Sequence, residues 1–385
     1  ELSGVMARSG LTPMQIADLG RIKAGDVKET FCMTVLALRL AERVNGVSKL
    51  HGEVSREMWK DFYGVPAAKV PIGSITNGVH VKTWIDPDAE RFWKDEIALR
   101  LTKQAPTATG WRHAEEVSPT KFWALRSRLR HRMVHFVRDR LAIQCKRRGE
   151  GQGAVAETYS LLDEDVLTIG FARRFATYKR APLVFHDADR LARILTNTDR
   201  PVQIIFAGKA HPRDEGGQVF VQQIFELTRD ARFGGRVALI EEYDMHVGRM
   251  LVAGCDVWLN TPIRPYEASG TSGMKPTLHG GLNLSILDGW WPEASDGING
   301  WNIGGTEAFA DTKLQDASDA ANLYRLLEES VVPQFYEQDA AGIPHGWIAR
   351  ALHSAATVPA VFNSHRMVAE YTRKAYVPAH QIRGS

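Results

Sequence analysis

From Glu164 onward the chain alternates regularly between apolar and mixed stretches. Short apolar runs at 166–171, 202–207, 237–240, 257–259 and 282–287 are separated by stretches near 182–197, 215–230, 246–254 and 274–280 with helical patterning. Short, mostly apolar runs separated by helices suggest parallel strands buried on both faces. The pattern therefore predicts a doubly wound, Rossmann-like α/β sheet whose ligand sits at the carboxyl ends of the strands. Long helices are expected to close the chain from about Asp319 to Tyr376.

The region before Glu164 reads mainly as helix. Thr12-Pro13 is a suitable N-cap and first-turn pair for a helix reaching about Ile22. The stretch 31–44 is apolar on nearly every side, broken only by Thr34, Arg39, Glu42 and Arg43, and predicts a buried helix. A third helix is expected over 55–62, stopping before Gly64-Val65-Pro66, and 74–79 resembles a short strand running into a turn. The long helix expected over 118–148 carries ten Lys and Arg against one acid, Asp139. Such a run suits nucleic acid, but no aromatic platform or reading motif accompanies it. The expectation is a solvated face whose charge is offset elsewhere.

Composition narrows the class. With 385 residues, 44% apolar and 24% charged, the chain can bury a sizeable core in two domains or one large α/β domain. A disordered chain, a collagen-like repeat and a disulfide scaffold are excluded. A net charge of +3 is too small for a general nucleic-acid binder. Cys32, Cys145 and Cys255 share no metal-ligand spacing and read as reduced thiols, so no metal and a cytoplasmic location are expected. No apolar run is long enough to span a membrane. Glu1 opens the chain in place of Met, consistent with a piece of a longer chain.

Several familiar chemistries lack their motifs. There is no G-x-G-x-x-G after a strand, no Walker A, no H-E-x-x-H and no G-x-S-x-G. Three constellations remain. Arg173-Arg174-Phe175-Ala176-Thr177-Tyr178-Lys179-Arg180 follows the first strand of the sheet and leads towards an expected helix, an arrangement suited to anions or to a solvated basic turn. Tyr266-Glu267-Ala268-Ser269-Gly270-Thr271-Ser272-Gly273-Met274-Lys275 places small residues before another expected helix. Backbone N–H groups there can approach a phosphate closely, and a buried lysine would suit covalent cofactor attachment. By itself the segment reads equally as a Gly-rich turn with a surface lysine. The third is Asn77-Gly78-Val79-His80 with Trp84, together with Trp290, Trp291, Trp301 and Trp347. Exposed Trp suits sugar stacking, but these are expected mainly in the core, and His80 as an ordinary hydrogen-bonded histidine.

Together these segments resemble the α-glucan phosphorylases of glycogen, starch and maltodextrin metabolism. Glu267-Ala268-Ser269-Gly270-Thr271-Ser272-Gly273-Met274-Lys275 is similar to the family's pyridoxal 5′-phosphate signature, whose final lysine forms the Schiff base. Arg173-Arg174 and Tyr178-Lys179-Arg180 resemble its phosphate-gathering motif. Thr76-Asn77-Gly78, Trp84 and Glu242-Tyr243 fall in the family's order. The resemblance runs from about Asn45 to about Gly305.

The resemblance implies roles. Lys275 would hold the cofactor, with Arg173, Thr271 and Ser272 on its phosphate and Trp84 and Tyr243 flanking it. Arg174 and Lys179 would bind inorganic phosphate, with Tyr178 alongside. Asn77, Glu267, Ser269 and Gly270 would contact the glucosyl unit. The implied reaction converts α-1,4-glucan or maltodextrin and inorganic phosphate to glucose 1-phosphate, with the cofactor phosphate as proton relay. The sequence departs from the pattern at Arg173, where Lys is usual, at Ser272-Gly273, where Gly-Asn is usual, and at Asp244-Met245-His246, which lacks the usual base.

Family members are roughly twice this length. Residues 1–72 are therefore expected to end an N-terminal domain, 73–355 to form the cofactor- and phosphate-binding domain, and 356–385 to form a C-terminal helix and tail. A chain so divided is expected to be a partial enzyme, inactive alone, and able to form homo-oligomers. No nucleic acid or membrane partner is expected. The alternatives are a sugar-nucleotide-dependent, glycogen-synthase-like glycosyltransferase and a degenerate glucan-binding domain.

Overall fold

The computed structural model describes residues 2–99, 108–307, 309 and 311–383. The chain forms two units, Glu1–Thr76 with Val368–Ser385, and Asn77–Met367. The divisions between these units fall after residues 76 and 367.

In the smaller unit, Thr12 and Gln15 form a reciprocal capping box, so the first expected helix begins at Pro13. It ends early, at Leu19, where the Gly20 N–H closes on the Ala17 and Asp18 carbonyls. The buried helix expected over 31–44 is shorter and half exposed. It spans Met33–Leu40, burying Val35 and Leu38 while Met33 and Leu40 face solvent. Eight residues on a surface hide one stripe, whatever the apolarity of the other faces. The helix expected over 55–62 is two, Lys49–Met58 capped by Ser48 and Lys60–Tyr63. The strand expected over 74–79 lies earlier. Strand β2 (Ile72–Ser74) pairs in parallel with β1 (Val44–Gly46), with Val44 opposite Ile72.

The larger unit contains six strands, β3 (Leu167–Ala172), β4 (Val202–Ala207), β5 (Val237–Ile240), β6 (Val257–Asn260), β7 (Leu282–Ile286) and β8 (Gly300–Ile303). All are parallel, in the order β5-β4-β3-β6-β7-β8. Strands β3 to β7 lie at the expected apolar runs and are buried along their length. Strand β8 was not expected. Its Gly-Trp-Asn-Ile sequence is short and mixed, and it is held by pairing with β7. Strand order reverses between β3 and β6, which opens a crevice at their carboxyl ends.

The basic helix, Pro119–Arg147, corrects the expectation of a solvated cationic face. Arg126 and Arg130 are buried and share Asp256 Oδ1, at 3.1 and 3.0 Å. Arg126 also donates to the carbonyls of Ala253, Gly254, Cys255 and His279. Farther along, Arg132 pairs with Asp86 and Asp88, Arg138 with Glu164, and Arg148 with Glu241. The charge is offset as expected, but by internal partners rather than by water. Trp290, Trp291, Trp301 and Trp347 are core residues, not a sugar platform.

The ends of the larger unit meet in a short ladder. The Val79 N–H donates to the Phe362 carbonyl at 3.0 Å, and the Ser364 N–H to the Val79 carbonyl at 2.9 Å. No helix among the described residues is long and apolar enough to cross a membrane.

Candidate functional site

Ala172 ends β3 and Asn260 ends β6, on either side of the strand-order reversal. Arg173 spans the gap. One guanidinium nitrogen donates to Asn260 Oδ1 at 2.9 Å and the other to the Glu267 carboxylate. Lys179 donates to the same Glu267 oxygen at 2.6 Å, and its ammonium stands 4.6 Å from the Tyr178 ring centroid. Arg173 is 8% exposed and Lys179 6%, so the cluster is nearly dry. Burial, then the charge of Arg173, lowers the Lys179 amine to about 8. Burial pushes the Glu267 carboxyl up, but Arg173 and Lys179 together hold it below its ordinary value. The Arg173 Nε is buried without a partner.

The loops after β3 and β6 are laced together. The Tyr178 carbonyl accepts from the Ile263 N–H at 2.7 Å, and Thr261 Oγ1 donates to the carbonyls of Lys179 and Arg180. Ser272 Oγ donates to Asn260 Oδ1 at 3.5 Å. The expected helix after β3 is present but starts only at Ala188, beyond two 3₁₀ turns, and only 3₁₀ turns follow the glycine-rich loop, so neither loop runs directly into a helix N-terminus. Thr177–Lys179 is a 3₁₀ turn ended by Arg180 in the left-handed region at φ 46°, and 3₁₀ turns at Thr271–Met274 and Pro276–His279 follow the glycine-rich segment. Pro276 lacks the N–H a continuing helix would use. These loops offer an anion charged side chains rather than a helix N-terminus.

The four cations of the first motif separate. Arg180 points away from Glu267 and is held by the Thr261 and Pro262 carbonyls, Asp316 and Asp319. Arg174 is exposed and close enough to Tyr178 to influence its hydroxyl.

Around Lys275 the surroundings are apolar. Its amine lies 3.5 Å from the Trp84 ring centroid, and no carboxylate pairs with it among the described residues. Burial lowers it to about 8. A methyl group on Gly248 would come within 2.7 Å of the Tyr243 hydroxyl and 3.6 Å of the Trp84 ring, so both aromatics rest against that bare backbone. Burial raises the Tyr243 hydroxyl. Asn77 gives its carbonyl to Arg366 at 3.0 Å, and nothing among the described residues joins its side chain to either cluster. Thr271 opens its 3₁₀ turn from Gly270, which is left-handed at φ 77°. Ser269 is 5% exposed and its hydroxyl has no partner. His80 bonds Thr83 at 2.7 Å, as an ordinary histidine would.

The structure thus gathers Arg173, Tyr178, Lys179 and Glu267 into one cluster, links Ser272 to it through Asn260, and groups Trp84, Tyr243 and Lys275 in a second. A family model described as carbohydrate phosphorylase matches residues 10–303.

The chain belongs to the carbohydrate phosphorylase family.

Among its relatives, a glycogen phosphorylase of Mycobacterium tuberculosis is 43% identical, over 97% of this chain and 43% of its own length. A maltodextrin phosphorylase of Thermococcus litoralis is 42% identical over 96% of this chain and 43% of its length. A glycogen phosphorylase of Aquifex aeolicus is 39% identical over 95% of this chain and 52% of its length. The chain spans about half the length, or less, of the curated relatives it matches.

The structure adds three residues that sequence reasoning passed over. Asn260 ends β6 and ties Arg173 to Ser272. Asp288 follows β7 and accepts the Glu267 N–H at 2.9 Å. His279, fully buried, accepts the Asp86 N–H at 2.9 Å and so joins the Trp84 loop to the segment carrying Lys275. The first two had a readable signal, a polar residue closing an apolar strand run. His279 had none.

Proposed function

We propose that this chain supplies the cofactor- and phosphate-binding part of an α-glucan phosphorylase, which converts α-1,4-glucan and inorganic phosphate to α-glucose 1-phosphate with retention. The observation that carries the reading is the Arg173–Glu267–Lys179 cluster at the β3/β6 crevice, together with the buried, carboxylate-free amine of Lys275. Glucan, inorganic phosphate and glucose 1-phosphate are its proposed partners, and the cytoplasm its proposed location. Residues 1–72 are read as the end of an N-terminal domain.

The residues present fit pyridoxal 5′-phosphate. Burial lowers the Lys275 amine to about 8, so that it is half-neutral there, Trp84 and Tyr243 offer flat apolar walls, and the unpartnered Arg173 Nε offers a donor for a phosphate. When bound, the cofactor supplies a phosphate group that can hold and relay a proton beside the substrate phosphate.

The chain's own residues do the rest. Arg173, Arg174 and Lys179 offset the charge of anions brought close together, in surroundings where such hydrogen bonds are strong. Glu267 keeps the two buried cations compensated before substrate enters. The unpartnered hydroxyl of Ser269 is available to a sugar hydroxyl, and Tyr178 borders the phosphate position. Inorganic phosphate donates its proton to the glycosidic oxygen, the C1–O bond breaks, and a phosphate oxygen bonds C1 from the same face. That sequence retains configuration.

The test is borohydride reduction of the chain after exposure to pyridoxal 5′-phosphate, followed by peptide mapping. Label on Lys275 is the expected result. Label on Lys179 or Lys209 refutes the assignment. Absence of label with sugar-nucleotide binding favours the glycosyltransferase alternative, and glucan binding without phosphate or cofactor binding favours a degenerate domain. Turnover by this chain alone is expected to be far below an ordinary enzyme's ~10 per second, because an open crevice leaves the reacting groups in water.

A further inference from the structure

Asp288 touches none of the groups assigned above to phosphate or cofactor, yet it shapes the segment that carries Glu267 and Ser269. It is 3% exposed, just beyond the carboxyl end of β7. Its two oxygens divide between two backbone donors. Oδ2 accepts the Glu267 N–H at 2.9 Å, and Oδ1 accepts the Gly289 N–H at 2.8 Å. The next residues extend the template. Gly289 is left-handed at φ 58°, and a methyl group on it would fall 2.3 Å from the Ser269 carbonyl and 3.2 Å from that of Glu267. The Trp290 N–H then donates to the Ser269 carbonyl at 2.8 Å. Residues 288–290 therefore form a mould against which 267–269 is pressed, with one side-chain contact, one close backbone approach and one backbone hydrogen bond.

The mould matters because of what Glu267 does. Its carboxylate oxygen meets Arg173 and Lys179, whose own loop is anchored separately, Arg173 by Asn260 Oδ1 and the Lys179 carbonyl by Thr261 Oγ1. Ser269, two residues on, has the buried hydroxyl without a partner. We propose that Asp288 is a positioning residue that fixes the sugar-facing segment 267–270 through the Glu267 amide, and so governs sugar affinity more than phosphate affinity. The proposal rests on the reading of that segment given above. Arg173 and Lys179 belong to the loop after β3 and keep their places without Asp288, which is why the two ligands separate.

The charge state of Asp288 gives the proposal a second readout. Burial raises its carboxyl to about 6. The charged groups facing it are Glu267, which raises it further, and Arg264, which lowers it and donates to the neighbouring Leu287 carbonyl. Beyond Glu267 stand Arg173 and Lys179. A carboxylate accepts an N–H more strongly than a carboxylic acid does. Protonation of Asp288 below about pH 6 therefore loosens its grip on the Glu267 amide.

The experiment compares the chain with its Asp288→Ala and Asp288→Asn variants by amide hydrogen exchange, and by titration with glucose and with inorganic phosphate. Glucose carries no ionisable group in this range, so its affinity reports the site alone. In Asp288→Ala, exchange across 267–270 should rise at least tenfold while β7 and β3 stay protected. Glucose affinity should fall at least tenfold and phosphate affinity less than threefold. Asp288→Asn keeps one acceptor and should fall between the two. Wild-type exchange at Glu267, corrected for intrinsic pH dependence, should speed up as pH drops through about 6, and this response should vanish in Asp288→Asn. Unchanged exchange at Glu267, faster exchange spread equally over the sheet, or equal losses of glucose and phosphate would each overturn the proposal. A wild-type chain that binds no glucose overturns the sugar-site reading instead, while exchange at Glu267 still decides the role of Asp288.

Discussion

The amine of Lys275 stands 3.5 Å from the centroid of the Trp84 ring, with burial alone responsible for lowering it to about 8. Two opposing effects meet there. The aromatic face favours the cation by about 1–2 kcal/mol, whereas a fall from 10.5 to about 8 corresponds to about 3 kcal/mol of desolvation. Desolvation wins, so the Lys275 amine stays below its ordinary value and a larger share of it is neutral near pH 8 than in a free lysine.

Trp84→Ala should therefore slow covalent capture of pyridoxal 5′-phosphate. Water reaching Lys275 raises its pKa, and each unit of increase removes about nine-tenths of the neutral amine near pH 7.5. Capture followed by absorbance across pH 6–10 should show a midpoint near 8 in the wild type, displaced upward by one unit or more in the variant. A midpoint already near 10.5 in the wild type would show that the pocket is wet.

Glu267→Gln leaves Arg173 and Lys179 buried without their shared counter-charge, and breaking such a pair typically costs about 3–5 kcal/mol. The sign with pH follows from its depressed pKa. The contribution of Glu267 is complete above the ordinary 4.5 and is lost as pH falls through the lowered value. Chemical denaturation at pH 7 should show the full deficit, with the gap narrowing in strong acid. Phosphate or sulfate should restore more stability to the variant than to the wild type, because an anion takes the place of the lost carboxylate.

Arg174 and Arg180 should behave as opposites. Arg180 makes four hydrogen bonds from a buried position, so Arg180→Ala should cost about 3–5 kcal/mol of stability. Arg174 is exposed, and Arg174→Ala should change stability by less than about 0.5 kcal/mol while weakening inorganic phosphate binding. Urea titration and phosphate calorimetry on both variants separate the two roles. Equal loss of stability would show that Arg174 also supports the fold.

His353 lies between Glu115, which it contacts at 2.5 Å, and Asp296 at 2.7 Å. Burial opposes its charge, but hydrogen bonds to Glu115 and Asp296 prevail and raise it above 6.5. Its stabilisation is thus complete below 6.5 and fades as pH climbs through the raised value. His353→Gln should lower the unfolding temperature at pH 5.5–6 and leave it nearly unchanged at pH 9. A deficit of the same size at both pH values would show that the imidazolium is not what holds the three residues together.

The sheet was legible because β3 to β7 are short, mostly apolar runs, buried along their whole length and separated by helical segments. The edge strand β8 was hidden because its pairing is supplied by β7 rather than by its own four residues. Of the basic motif, sequence gave the cations but could not tell which would point into the crevice. Arg180 is drawn aside by Asp316 and Asp319, more than a hundred residues away in the chain, and only folding brings them together. The helix of 118–148 shows the same gap. Its surplus of charge was visible, but the burial of Arg126 and Arg130 depends on Asp256, which lies on the far side of three strands in sequence. The helix expected near 182–197 begins late, at Ala188, because Arg180 lies in the left-handed region, and the one expected near 274–280 is reduced to 3₁₀ turns broken at Pro276.

The ladder that joins Val79 to Phe362 and Ser364 has a topological consequence. The larger unit begins and finishes at one spot, and in sequence it lies between the two segments of the smaller unit as a cassette with adjoining ends. Domains whose ends adjoin tolerate excision, exchange between proteins and circular permutation, because a short linker can close the gap without disturbing the core. Residues 77–367 should therefore fold when joined head to tail and reopened in an exposed turn. Transfer of the six-stranded sheet with its crevice into another host chain needs no more than two neighbouring junctions.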